Sequence, residues 1–292
     1  MASIRRFPLS QLVFNFRAAA LATVMVGAAT LASADPPAAP GNSSFLALGD
    51  SLPFGHIRAD GFANVNASNF VGYPNYVGAD LRFDTANAAC PGETSGSFIS
   101  PTDPDVGCRS FRASFPLHVS YTSTQLSFAT NFLATHKQTR LVTISLGANA
   151  LLVQSCNGDP TCIQAGLATL KLNMGTILSD LRATGFRGVL MVVNYFAVDY
   201  NDPVQISLIG ILNQALAAVA AANGAVMADI FTAFKTAAST PFAGLKTCRA
   251  GLLNVNPLDS TQMSCDDHPA QSGHILIADT IEATYRAASP GN

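Results

Sequence analysis

A serine, a histidine and two neighbouring carboxylates are the side chains whose types and spacing could do chemistry. Ser51 lies in FLALGDSLPFG (45–55), just past a short apolar run. A serine hydroxyl is a poor nucleophile until a nearby base takes its proton, and that base is most often histidine. The chain offers His56, His118, His136, His268 and His274. His268 stands apart by its setting, CDDHPAQSGH (265–274). Proline suits the first position of a helix, so Pro269 predicts a terminal helix over 269–288 with His268 at its N-terminus. The positive end of that helix would disfavour imidazolium and keep the base neutral. In an extended segment residues i and i+2 share a side, which would put Asp266 beside His268 and point Asp267 away. Asp266 could then hold the imidazole through Nδ1–H, the orienting role of a triad acid. Asp267 reads as a helix cap.

Acyl transfer also needs donors aimed at a developing oxyanion. Asn149 lies in SLGANA (145–150), and its side-chain amide could point at such a site. Gly92 lies in CPGETSG (90–96), where the absence of a side chain lets a backbone N–H come close to a substrate. The N–H of Ser51 is a third donor. Neither C-x-x-C nor H-x-x-x-H spacing occurs, so a zinc-type site fits badly, and neither a metal nor a cofactor is expected.

Apolar runs alternate with helical patterns along the chain. Strands are predicted at 45–48, 141–146, 188–196 and 225–231. Helices are predicted at 74–81, 122–136, 162–183 and 204–222, before the terminal one. Continuous apolar strands alternating with helices argue for a parallel sheet covered on both faces. Ligands of such sheets bind beyond the carboxyl ends of the strands, and Ser51 and Asn149 would share that rim. Two long irregular stretches, 55–72 and 97–120, read as substrate-lining loops. Phe98, Phe111 and Phe115 could line an apolar acyl pocket or pack the loop onto the sheet.

Arg5, Arg6 and Arg17 are the charged residues of the first 34, followed by an apolar run (18–31) and an ASA site (32–34). This predicts a secretory signal peptide over 1–34, a linker over 35–44 and one α/β domain over 45–292. The apolar run is short for a bilayer span. No later segment reads as long and apolar enough, so no transmembrane anchor is expected after cleavage. Beyond Ala34 there are 13 basic and 18 acidic side chains and no Lys/Arg run, which argues against a nucleic-acid partner. Cys90, Cys108, Cys156, Cys162, Cys248 and Cys265 all lie in the exported part and read as disulfides. Six cysteines allow 15 pairings. Closeness in sequence favours Cys90–Cys108, Cys156–Cys162 and Cys248–Cys265. The expected form is a monomer, secreted or held in the cell envelope.

Taken in order, GDSL (49–52), Gly92, the G-x-N core (147–149) and the H-P pair at His268 resemble the four sequence blocks of the GDSL, or SGNH, serine esterases and lipases. The resemblance runs from Phe45 to about Ala283. It implies a flavodoxin-like three-layer α/β/α sandwich around a central parallel sheet. It also implies an acyl-enzyme on Ser51, His268 as base, and an oxyanion hole of Ser51, Gly92 and Asn149. The secreted branch of the family carries three consecutive disulfides, which agrees with the favoured pairing. Two positions depart from the family pattern. Ala150 stands where a carboxylate is common, and Cys265 occupies the usual place of the acid, three residues before the histidine. Asp266, Asp267 or a main-chain carbonyl remain as the group orienting His268. The implied substrate is a small-molecule or lipid-like carboxylic ester. The alternatives are a polysaccharide or glycan O-deacetylase on the same site, or a non-catalytic exported binding protein on a hydrolase scaffold.

Overall fold

A computed structural model describes residues 43–57, 66–149, 156, 159–255 and 265–289. The expected signal peptide and nearly all of the expected linker lie outside these residues, as does Ala150. Five strands form the central sheet: β1 (Ser44–Gly49), β2 (Asp84–Asn87), β3 (Thr139–Ser145), β4 (Val189–Val193) and β5 (Val226–Ala228). Their spatial order is β2-β1-β3-β4-β5, and every pairing is parallel. All six residues of β1 and six of the seven in β3 are buried, as a sheet covered on both faces requires. Each fully buried Leu, Ile or Phe of these strands contributes about 1.5–3 kcal/mol of burial free energy.

The helices divide into two groups by their packing. α2 (Tyr73–Leu81), α7 (Ile230–Ala238) and α8 (Gln271–Ala288) pack together, as do α4 (Gln125–Thr135), α5 (Pro160–Ala183) and α6 (Pro203–Ala222). Both groups contact the sheet, giving three layers. Shorter helices are α1 (Ser51–Phe54) and α3 (Cys108–Ser114). Aspartates mark several starts: the carboxylates of Asp159, Asp202 and Asp229 accept first-turn N–H groups of α5, α6 and α7, satisfying donors that a helix leaves open.

The elements depart from expectation in five places, the first being α3, a helix within the 97–120 stretch expected to be irregular. β2 is an additional edge strand, DTAN, whose polar, partly exposed residues carry no apolar signal. The predicted strand at 225–231 divides, because Asp229 caps a helix that begins at Ile230. The terminal helix starts at Gln271, and Pro269 closes a strand instead. That strand, β7 (Cys265–Pro269), pairs antiparallel with β6 (Leu253–Val255). Finally, α6 has 20 residues and an 18-residue window of mean hydropathy 1.7, long and apolar enough for a bilayer by length and composition. The expectation of no such segment is corrected, since its alanines raise the hydropathy without lengthening an aliphatic run. Here α6 packs on α5 and the sheet, with Leu212, Leu216 and Val219 buried.

Three disulfides are formed: Cys90–Cys108, Cys156–Cys162 and Cys248–Cys265, with Cα separations of 5.5, 5.4 and 5.7 Å.

Candidate active site

The chain turns sharply where β1 ends. Gly49 has φ of +130°, and a Cβ there would lie 1.9 Å from the carbonyl oxygen of Ser145 on β3. Only glycine tolerates this approach. Asp50 then caps α1, its Oδ1 accepting the Leu52 N–H at 3.1 Å. Ser51 is therefore the first residue of a helix, with a backbone N–H that has no acceptor within the helix. α1 packs against β7, and Ser51 and His268 line one cleft of about 920 Å³.

His268 is buried within β7. Its Nδ1 lies 2.7 Å from Asp266 Oδ1 and 3.2 Å from Asp267 Oδ1. Asp266 is buried, whereas the Asp267 side chain is 57% exposed. The extended backbone places Asp266 on the side of the histidine, but Asp267 does not point away; it approaches the same nitrogen. Burial is the largest influence on the imidazole and pulls its pKa down. The hydrogen bonds and charges of Asp266 and Asp267 outweigh it and raise the value to about 9. This corrects the expected effect of the helix end: His268 sits in a strand, and its acids favour the protonated ring.

Gly92 and Asn149 line the same cleft. Gly92 has φ of +83°, and its carbonyl accepts the Val106 N–H at 2.8 Å. Asn149 donates through Nδ2 to the carbonyl of Glu93 at 3.0 Å, which uses one of its two amide hydrogens. The structure thus brings Ser51, Gly92, Asn149 and His268 to one cleft, with Asp266 behind the histidine.

Several participants escaped the sequence reading. The Tyr195 hydroxyl donates to Asp50 Oδ2 at 2.7 Å, and Asn213 holds both the N–H and the carbonyl of Tyr195. Burial raises the Asp50 carboxyl to about 6, against the lowering influence of Tyr195, Leu52 and His268. Glu93 is buried beside Gly92, and desolvation raises it to about 7 against hydrogen bonds from Ser97 and Gln125. His56 also lines the cleft, and its ring meets that of His268 edge-on at 5.1 Å. No residue pattern marks these groups; GDSL does include Asp50, but its tyrosine partner is 145 residues away.

The remaining histidines are packing residues. His118 Nε2 lies 3.0 Å from the Phe54 carbonyl, and His136 stacks on Phe132. His274 is buried in α8, where desolvation lowers it to about 3. Of the three phenylalanines considered for an acyl pocket, Phe111 lines the cleft. Phe98 is wholly buried in the main core, and Phe115 packs on Phe111.

The chain belongs to the GDSL-like Lipase/Acylhydrolase family, whose model matches residues 47–274. It is a carboxylic ester hydrolase of that family. Its fold resembles that of phospholipase A1 from Streptomyces albidoflavus, at 16% identity and a TM-score of 0.54, over 83% of this chain and 99% of that one. A Parabacteroides merdae protein described as a GDSL-like lipase aligns at 15% identity and a TM-score of 0.51, over 83% and 96%. LAE5, an α/β hydrolase enzyme from the Lake Arreo metagenome, aligns at 15% and 0.50, over 85% and 96%. No curated protein sequence matches significantly.

Proposed function

We propose that the protein is an exported serine esterase that forms an acyl-enzyme on Ser51 with His268 as base. The observation that carries this reading is one cleft holding Ser51, Gly92, Asn149 and His268, with Asp266 on Nδ1 of the histidine. His268 takes the Ser51 proton as Oγ bonds to the ester carbonyl carbon. The negative charge moves to the carbonyl oxygen and is met by the N–H groups of Ser51 and Gly92 and the second amide hydrogen of Asn149. The carbonyl re-forms, the C–O bond to the alcohol breaks, and His268 returns the proton to the leaving oxygen. Water then repeats the sequence to release the acid and free Ser51.

The cleft favours alkyl or lipid-like acyl groups. Phe111, Ile163, Val198, Leu208, Ile209 and Leu212 are among its lining residues, and such apolar surface gains free energy by covering hydrocarbon. Three disulfides suit an oxidising compartment outside the cytosol.

A fluorophosphonate probe should label Ser51, as read by mass spectrometry of the adduct, and Ser51→Ala should abolish both label and esterase activity. Wild-type activity in pure Ser51→Ala protein would overturn the reading. Medium-chain nitrophenyl esters should be cleaved faster than acetyl-xylan; the reverse preference would reassign the substrate to acetylated glycans.

A further inference from the structure

We propose that Gln125 is a positioning residue for ester hydrolysis, fixing the turn that carries Ser51 against the loop that carries the oxyanion donors. Gln125 opens α4, a place where a polar side chain usually reaches water, yet it is fully buried. Its Oε1 accepts the Gly49 N–H at 2.6 Å. Its Nε2 donates to the Gly49 carbonyl at 3.0 Å and to Glu93 Oε2 at 3.1 Å. A primary amide has one acceptor oxygen and two donor hydrogens, so each function has a partner.

The reason lies in the sheet. β2 pairs with β1 as far as Ala47↔Asn87; past it the Cys90 N–H still reaches the Gly49 carbonyl at 3.0 Å, but the Gly49 N–H takes a side-chain acceptor, Gln125 Oε1. A buried peptide group without partners costs free energy. The Gln125 Oε1 supplies the acceptor that a β2 peptide would have given the Gly49 N–H, and Nε2 adds a second donor to the Gly49 carbonyl.

The same amide reaches the second half of the site. Glu93 follows Gly92 directly, its carboxyl takes the Ser97 hydroxyl as well as Gln125, and its carbonyl holds the Asn149 amide at 3.0 Å. One side chain therefore links the residue two before Ser51 to the residue after Gly92 and, through it, to Asn149. The distance between nucleophile and oxyanion donors is what such a link controls, and catalysis depends steeply on it.

This inference rests on Ser51 being the nucleophile, and the test separates the two. Gln125→Leu removes both donors and the acceptor. Gln125→Glu keeps the shape and the acceptor but presents a carboxylate to Glu93 and to the Gly49 carbonyl. Rates are normalised to the number of Ser51 sites that react to completion with a fluorophosphonate. For both variants we expect kcat to fall by about tenfold or more, short of the ~10²–10³ cost of deleting an oxyanion donor outright. KM should stay within about threefold, and the rate of Ser51 phosphonylation should fall in step with kcat. A kcat per reactive site equal to wild type, with only Tm lowered, would reduce Gln125 to a structural residue and overturn the proposal. If Gln125→Leu does not fold, Gln125→Glu gives the same reading. Failure of Ser51→Ala to abolish activity would instead overturn the nucleophile assignment, whatever the Gln125 variants do.

Discussion

The two halves of the site are held in opposite ways. Ser51 follows a central strand of a five-stranded sheet, and its turn is tied by distant residues: Gln125 on Gly49, Ser145 on Asp50, Tyr195 on Asp50. His268 stands on a two-stranded hairpin, paired to three residues of β6 and fastened at its start by Cys248–Cys265. The two carboxylates on its Nδ1 are one and two residues away. The proposed nucleophile is thus placed by tertiary contacts and the proposed base largely by local ones. The nucleophile side should tolerate no change of backbone, while the base side should depend on its acids and its disulfide.

The largest effects fall on the reacting groups. Ser51→Ala and His268→Ala should each lower kcat by about 10⁴-fold or more, measured on pure folded protein. Asp266→Asn should cost about 10²–10³ in kcat, less than the ~10⁴ seen for a triad acid acting alone, because Asp267 already reaches the same nitrogen. An Asp266→Asn variant with full activity would show that the hairpin backbone alone orients the ring.

Removing Cys248–Cys265 by paired serine substitutions should cost about 3 kcal/mol, against about 2 for the shorter Cys156–Cys162 loop. Denaturant midpoints would measure both. The first should also lower kcat several-fold, since β7 carries the base. Equal catalytic effects from the two deletions would remove the contrast between a braced nucleophile and a stapled base.

The smallest change is a shift of pH profile. His268 must be neutral to accept the Ser51 proton, so kcat/KM should rise with pH through a limb near 9. Asp267→Asn removes one influence that raises this pKa. The limb should move toward the ordinary imidazole value of about 6.5, raising activity at neutral pH while the maximum changes little. Linkage gives the matching sign for stability. A folded pKa above the unfolded one contributes stability below about pH 6.5 that is lost as pH rises through about 9. Tm against pH should show a shallower alkaline loss in Asp267→Asn.

Much of this was legible before any coordinates. β1, β3 and β4 announce themselves as continuous apolar runs because both of their faces are covered. Ser51, Gly92, Asn149 and His268 stand out through their joint order along the chain and its resemblance to the GDSL blocks, and the structure brings all four to one cleft. The β6–β7 hairpin was misread as a helix start, because Pro269 serves equally well at a helix N-terminus or at the last position of a strand. β2 was missed because an edge strand of polar residues is held by its neighbour's peptides, not by its own side chains.

The sequence by itself determined the order of the blocks and the nearness of Asp266 to His268, the second set by the two-residue alternation of an extended segment. Tertiary structure alone decided that Asp50 meets Tyr195, that Gln125 completes the edge of β1, and that Glu93 carries the Asn149 amide. Those partners lie 145, 76 and 56 residues apart. A buried polar group must find a partner wherever the fold brings one, and no local pattern records which residue that will be.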